Sequence, residues 1–90
     1  MRIEIFSKPN CVYCEKSKTL LKGLGLSYIE KSIQDYGSKQ EFIEAIGKRV
    51  KTVPQIKINS NLIGGYNQLV EYFADKGKVN FKGEIINEWW

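Results

Sequence analysis

The chain of 90 residues contains no histidine and only two cysteines, and it has no long apolar run. A structural zinc site takes four nitrogen or sulfur ligands, so two cysteines without histidine exclude such a site within one chain. A transmembrane helix takes about 20 consecutive apolar residues, and no segment approaches that length. The sequence therefore predicts neither a metal protein nor an integral membrane protein.

The charge is modestly basic, with a net charge of +4. There is no long basic run, and aromatic residues do not alternate with basic ones as they do on surfaces that stack nucleic acid bases, so we expect no nucleic-acid partner. Residues 1–4 lack the apolar core of a secretory signal, which favours a cytoplasmic location. Basic residues cluster near the two cysteines and before Pro54: Lys8, Lys16, Lys18, Lys48, Arg49 and Lys51.

Cys11 and Cys14, three positions apart, are the feature that carries chemistry. They follow a short apolar run (3–6) and a Ser-Lys-Pro-Asn turn, and they open a predicted helix. At a helix N-terminus the free backbone N–H groups and the helix dipole favour a thiolate over a thiol. A second thiol that can close onto the first completes the equipment for thiol–disulfide exchange. A structural disulfide is a poorer interpretation, because so short a loop constrains the unfolded chain little.

Hydrophobic periodicity and turn signals predict four strands and three helices. The predicted strands are 2–6, 26–33, 55–58 and one beginning at 62–63; the predicted helices are 12–24, 38–47 and one that ends near Gly77. A parallel pair of strands joined by a helix and followed by a hairpin gives an α/β fold, a four-stranded mixed sheet with helices on its faces. We predict one domain over residues 1–77. The extension 78–90 is too apolar for a loose linker, and we expect it to pack on or next to the domain rather than to bind a partner.

Three segments together resemble a dithiol glutaredoxin: 7–14 (SKPNCVYC), 52–56 (TVPQI) and 63–66 (IGGY). They occur in the order and spacing of that family, and the resemblance covers roughly residues 1–76. It implies a thioredoxin-like fold and an enzyme that reduces protein disulfides and glutathione mixed disulfides. It further implies glutathione as cosubstrate, with no tightly bound cofactor.

The resemblance assigns roles to individual residues. Cys11 is the attacking thiolate, Cys14 resolves the mixed disulfide, and Lys8 lies beside the nucleophile. Pro54 follows a cis peptide bond that presents the backbone of Val53 to glutathione, and Lys48 or Arg49 reaches a carboxylate of that peptide. The implied glutathione-binding residues are Tyr13, Arg49, Thr52, Val53, Pro54, Gly65, Tyr66 and Asn67.

The sequence departs from the family pattern at two places. Val12 occupies a position where many dithiol members have proline. Asn67 and Gln68 are neutral where many members carry an aspartate that pairs with the free amine of glutathione. The second departure removes a charge-assisted hydrogen bond, which lowers the expected binding free energy of glutathione by about 1 kcal/mol.

Other functions remain open at this stage. A thioredoxin-like electron donor, regenerated by a flavoprotein reductase and serving for example ribonucleotide reductase, would carry the same cysteine pair. A dimer could hold an iron–sulfur cluster between two Cys11 thiolates and two glutathiones. A redox-inert adaptor could use the aromatic residues of the extension. We expect a monomer with glutathione and protein disulfides, such as that of ribonucleotide reductase, as partners.

Overall fold

The computed structural model describes residues 1–80 and Glu84, and a four-stranded sheet lies at its centre. The elements in chain order are β1 (Ile3–Ser7), α1 (Val12–Gly23), β2 (Ile29–Ser32), a short 3₁₀ helix (Ile33–Asp35), α2 (Lys39–Ile46), β3 (Gln55–Ile58), β4 (Asn61–Gly64) and α3 (Tyr66–Asp75). The strand order across the sheet is β2-β1-β3-β4. β1 runs parallel to β2 and antiparallel to β3, and β3 and β4 form a hairpin. The predicted α/β fold is confirmed.

The second strand is shorter than the prediction at both ends. Leu26 and Tyr28 pack against the core before the strand begins. At the other end, the Oγ of Ser32 accepts the N–H of Gln34, and Asp35 accepts the N–H of Ser32 across 2.9 Å. This local capping starts the 3₁₀ helix and ends the strand.

The predicted start of α2 at Ser38 is correct, although the capping differs in detail. The Oγ of Ser38 accepts the N–H of Glu41 across 3.1 Å. The carboxylate of Glu41 accepts the N–H of Gly37 rather than that of Ser38. Gly47 ends the helix with a φ of +90°, a conformation that glycine adopts without strain.

The sheet separates two apolar clusters. On one face, Ile3 and Ile5 pack in the larger cluster with residues of α1 and α3. On the other face, Phe6 packs against Phe42 and Ile46 of α2. All five residues of β1 are buried, as expected for a central strand that is covered on both faces. Because β1 is held from both sides, the loop that follows it starts from a fixed position and delivers the cysteines to the edge of the sheet.

The chain beyond α3 returns to the core. Val79 is 1% exposed and belongs to the larger apolar cluster. The rest of the predicted extension, residues 81–83 and 85–90, lies outside the described residues. Within residues 1–80 and Glu84, no helix has the length and apolar character needed to cross a membrane.

Candidate active site

Cys11 and Cys14 lie at the start of α1 and are joined by a disulfide, with their Cα atoms 5.2 Å apart. Cys11 is the N-cap residue, in an extended conformation, and its Sγ accepts the backbone N–H of Cys14 across 3.2 Å. The first sulfur therefore occupies the place where a helix offers its unpaired N–H groups, as the sequence predicts.

The two cysteines differ in exposure. Cys14 is 1% exposed, whereas Cys11 is partly exposed. Two large apolar side chains beside them, Val12 and Tyr13, are more than half exposed. An incoming disulfide can therefore contact the sulfur of Cys11, whereas the sulfur of Cys14 is not accessible to it.

The loop that precedes β3, the neighbour of β1, faces the cysteines. The Val53–Pro54 peptide bond is cis, as the resemblance implies. The carbonyl oxygen of Val53 lies 3.8 Å from the Sγ of Cys11. The side-chain amide of Gln55 donates to the carbonyl of Thr52 across 3.0 Å and holds this loop against the start of β3.

A groove of about 1030 Å³ begins at this loop. One wall is the segment 52–55, and the other is the turn from β4 into α3, residues 63–68. Seven of the eight predicted glutathione-binding residues line it: Tyr13, Thr52, Val53, Pro54, Gly65, Tyr66 and Asn67.

The eighth predicted residue, Arg49, lies elsewhere. It lines a smaller hollow with Lys39, Gln40 and Ile43. Its neighbour Lys48 lines the main groove instead. Two adjacent basic residues in a loop cannot be distinguished by sequence, because which one faces the groove depends on the backbone path after Gly47.

Gly65 lets the two walls of the groove approach each other. A Cβ atom at this position would lie 3.2 Å from the carbonyl oxygen of Pro54, tighter than ordinary contact. The N–H of Gly65 donates to the side-chain oxygen of Gln68 across 3.0 Å. The next N–H groups, in the first turn of α3, have no partner within the helix. They belong to Tyr66, Asn67 and Gln68, which line the groove.

Two lysines and no acidic residue line the groove in the part of the chain that the structure describes. Lys57 donates to the carbonyl of Ala45 near the C-terminal end of α2 across 2.9 Å. Lys48 is exposed at the rim. With the N-terminus of α3, these cations make the groove a suitable site for a ligand that carries carboxylates.

An aromatic pair closes one end of the groove. The rings of Tyr13 and Tyr66 lie with their centroids 5.7 Å apart, and Lys16 lies over the ring of Tyr13 at 5.0 Å. Such contacts fix the position of an exposed tyrosine beside the cysteines.

Polar contacts behind the cysteines tie α1 to the sheet. Lys18 binds Glu30 at 2.9 Å and Glu15 at 2.7 Å, and the buried Ser7 hydroxyl donates to Glu30. The hydrogen bonds that Lys18 donates to Glu15 and Glu30 raise the pKa of Lys18. The hydrogen bond from Lys18 in turn lowers the pKa of Glu30. The first turns of α1 are therefore anchored to the ends of β1 and β2.

Sequence reasoning named Gln68 only as a departure from the family pattern, and it missed Lys57 as a groove residue. The pattern Gly65-x-x-Gln68 is also a capping signal. Lys57 is the polar residue of an alternating strand, a pattern that indicates only which face it occupies. Nothing in the sequence connects it to the groove.

Comparison with known proteins identifies the family. The glutaredoxin family model matches residues 3–63. The chain is 40% identical to glutaredoxin 3 of Escherichia coli over 76 residues, which cover 83% of this chain and 89% of that protein. The chain belongs to the glutaredoxin family. The disulfide-forming pair Cys11 and Cys14 is its redox centre, and the protein is a thiol–disulfide oxidoreductase.

Two further relatives place this glutaredoxin in context. It is 42% identical over 72 residues to the hybrid peroxiredoxin hyPrx5 of Haemophilus influenzae, covering 80% of this chain but only 29% of that protein. It resembles the structure of a buckwheat glutaredoxin–glutathione complex with a TM-score of 0.69 at 28% identity, covering 82% of this chain and 69% of that one. The predicted thioredoxin-like fold of a dithiol glutaredoxin is confirmed.

Proposed function

We propose that the protein uses glutathione to reduce protein disulfides and glutathione mixed disulfides. The observation that carries the proposal is the groove that starts at Val53, beside the Sγ of Cys11, and ends at Lys48 and the N-terminus of α3. Glutathione has a thiol between two carboxylate-bearing ends, which suits a groove with a redox-active sulfur and separate cationic positions. The buckwheat relative forms a glutathione complex.

In the proposed complex the backbone and the two carboxylates of glutathione have protein partners. Its cysteine backbone pairs with the N–H and C=O of Val53, as a short strand added to an edge. One carboxylate accepts N–H groups at Tyr66 and Asn67, and the other meets Lys48. In this complex the walls of the groove are formed by Tyr13, Thr52, Pro54 and Gly65. Lys48, rather than Arg49, is the basic residue that binds a carboxylate of glutathione.

The proposed reaction proceeds by two thiolate exchanges. The Cys11 thiolate attacks one sulfur of the substrate disulfide, that bond breaks, and the other sulfur leaves as a thiolate that takes a proton from water. The Cys14 thiolate then attacks Cys11, releases the substrate thiol and leaves the Cys11–Cys14 disulfide, so two electrons pass to the substrate. Two glutathione thiols restore the dithiol and become glutathione disulfide. Lys8 stabilises the attacking thiolate by its charge.

A glutathionylated substrate requires only Cys11. The Cys11 thiolate attacks the glutathione sulfur and the substrate leaves as a thiol; a second glutathione then attacks the glutathione sulfur of the mixed disulfide, so that glutathione disulfide leaves and the Cys11 thiolate is restored. We propose that the protein acts as a monomer in the cytoplasm, where glutathione is a reductant, and that ribonucleotide reductase is among its disulfide substrates.

The test is reduction of a small glutathione mixed disulfide, coupled to glutathione reductase, by the wild type, Cys14→Ser and Cys11→Ser. We expect activity in the wild type and in Cys14→Ser, and none in Cys11→Ser. No activity in the wild type would contradict the role of glutathione. Recovery of the dithiol by a flavoprotein reductase would then favour the thioredoxin-like electron donor.

A further inference from the structure

The two cysteines receive unequal support for the thiolate that each must form in the proposed reaction. The Sγ of Cys11 has a hydrogen-bond donor in the backbone N–H of Cys14. Cys14 itself is 1% exposed, and within residues 1–80 and Glu84 no N–H or O–H group donates to its Sγ. Burial disfavours a thiolate that has no such partner. The resolving thiol therefore needs another source of stabilisation when it attacks.

A lysine lies on the same face of α1, one turn after Cys14. Lys18 is four positions further on, and residues at this spacing are neighbours on a helix surface, with Cβ atoms about 6 Å apart. Helical side chains lean toward the N-terminus of their helix. The Nζ of Lys18 accordingly binds the Oε1 of Glu15, in the first turn, at 2.7 Å. The ammonium is thus held beside the turn that carries Cys14.

Two carboxylates share this ammonium, and both are more exposed than it is. The side chain of Lys18 is 14% exposed, whereas those of Glu15 and Glu30 are 70% and 40% exposed. Water screens an exposed charge more than a buried one. The positive charge therefore predominates toward the interior, where Cys14 lies. The hydrogen bonds to Glu15 and Glu30 raise the pKa of Lys18, so it keeps its charge at neutral and mildly alkaline pH.

The other elements packed around this part of α1 present neutral groups. From β1, the hydroxyl of Ser7 donates to Glu30. The loop before β3 presents the backbone carbonyl of Val53 to Cys11. The residues of α3 in the shared core are Leu69, Val70 and Phe73. Lys18 is therefore the cation that these surroundings place beside the resolving cysteine.

We propose that Lys18 stabilises the thiolate of Cys14 in the mixed disulfide between Cys11 and the substrate, and so sets the rate of the resolving step. In that step Cys14 gives its proton to solvent, its thiolate attacks the Sγ of Cys11, and the substrate sulfur leaves as a thiolate. Glu30 acts in the opposite sense, because its carboxylate lies beside the same ammonium. This inference deepens the dithiol branch of the proposed function and rests on it, but it does not require glutathione.

The test observes the two exchanges separately. The reduced protein is mixed in a stopped-flow instrument with an excess of the symmetrical disulfide of thionitrobenzoate, and the released thionitrobenzoate is followed by absorbance. Attack by Cys11 releases the first molecule at a rate that rises with reagent concentration, and attack by Cys14 releases the second at a rate that does not. Because the second step is intramolecular, a change in net charge cannot alter it through attraction of the anionic reagent. Cys14→Ser should release only the first molecule.

The charge of Lys18 should control the second release. Lys18→Met should slow it about threefold at neutral pH, because an about tenfold lower thiolate fraction is partly offset by the higher nucleophilicity of a more basic thiolate. The pH at which this step reaches half its maximal rate should rise by about one unit. Lys18→Arg keeps the charge and should stay within about twofold of the wild type.

A matched control makes the same change in net charge elsewhere on α1. Lys22 is exposed and lies about 12 Å farther along the helix axis than Cys14. Lys22→Met should leave the rate of the second release within about twofold of the wild type, because an exposed charge at that distance is largely screened. Circular dichroism establishes that each variant is folded.

Glu30→Gln separates the effect of charge from that of structure. Glutamine keeps an oxygen that can accept hydrogen bonds from Ser7 and Lys18, but it lacks the negative charge. The second release should therefore become about twofold faster. If the ion pair served only to brace α1 against the sheet, Glu30→Gln would slow the step as Lys18→Met does.

An unchanged second release in Lys18→Met would overturn the inference, as would an equal loss in Lys18→Arg or in Lys22→Met. A slower second release in Glu30→Gln would also overturn it. These results count against the inference alone when the wild type releases two molecules of thionitrobenzoate. A wild type that releases only one would contradict the resolving role of Cys14 in the proposed function as well. The role of glutathione is untouched by either result, since the assay contains none.

Discussion

The backbone N–H of Cys14 donates to the Sγ of Cys11 across 3.2 Å. This contact joins Cys14 to the sulfur that it attacks in the proposed reaction. It also supplies a donor to a Cys11 thiolate once the disulfide is reduced, and the helix dipole acts in the same sense. The structure therefore gives the two cysteines unequal reactivity before any substrate binds.

The first prediction concerns that inequality. In the reduced protein, iodoacetamide should alkylate Cys11 at least about tenfold faster than Cys14, because the thiolate is favoured at the helix start and Cys14 is 1% exposed. Mass spectrometry of proteolytic fragments after a short exposure measures the ratio. In Cys11→Ser, Cys14 should react only after denaturation. Equal labelling of both residues under native conditions would contradict the assignment of the nucleophile.

The second prediction uses two neighbouring basic residues. Lys48 lines the glutathione groove and Arg49 does not. At low ionic strength, Lys48→Glu should raise the KM for glutathione about fivefold, whereas Arg49→Glu should change it less than about twofold. Steady-state turnover of a small mixed disulfide gives both values. If Arg49→Glu has the larger effect, the proposed orientation of glutathione is wrong.

The third prediction concerns the neutral amide at Asn67. In the proposed complex the free amine of glutathione has no carboxylate partner among the described residues that line the groove. Asn67→Asp supplies one, worth about 1 kcal/mol, and should lower the KM for glutathione about fivefold. Glutathione acetylated at that amine is the matched control and should gain nothing. An equal gain for both ligands would mean that the aspartate acts through the helix rather than through the amine.

The fourth prediction concerns stability and pH. Glu4 is 6% exposed, and its Oε2 accepts a hydrogen bond from Lys31 across 2.7 Å. This hydrogen bond lowers the pKa of Glu4 below its ordinary value of 4.5. A carboxyl with a lowered pKa in the folded state stabilises the protein above its ordinary pKa, and that contribution is lost as the pH falls through the folded pKa.

Lys31→Met should therefore lower the free energy of unfolding at pH 7 by about 1–3 kcal/mol. The loss should shrink below pH 4.5 as the carboxyl becomes protonated. Urea unfolding at several pH values measures it. Lys31→Met introduced into the Glu4→Gln variant is the control. It measures the contribution of Lys31 that does not depend on Glu4, since Lys31 also lies over the ring of Phe6 at 5.5 Å. A loss that is independent of pH would assign the effect to that ring contact.

Local signals account for most of what the sequence predicts correctly. Ser38 and Gly47 mark the ends of α2 because a side-chain cap and a left-handed glycine need no distant partner. The position of Cys11 at the start of α1 follows in the same way from the turn before it. The fold then follows from the order of the elements.

The predicted bounds of the second strand are wrong because they depend on contacts between residues that are distant in the sequence. The second strand begins only at Ile29, the residue that pairs with Glu4 of β1, and this register cannot be read from either segment alone. Which of Lys48 and Arg49 lines the groove depends on how the loop returns to β3, and the role of Arg49 stays a prediction. Seven groove residues could be named only through the family resemblance, because the two walls are brought together by the sheet.

The burial of Val79 has a consequence for where this protein can be shortened. The family model stops at residue 63, yet a side chain sixteen positions later completes the apolar cluster under α1 and α3. The stretch that the family model matches is therefore shorter than the stretch that forms the apolar interior. A truncation designed on the family model alone would remove part of the interior, because it would cut away Val79.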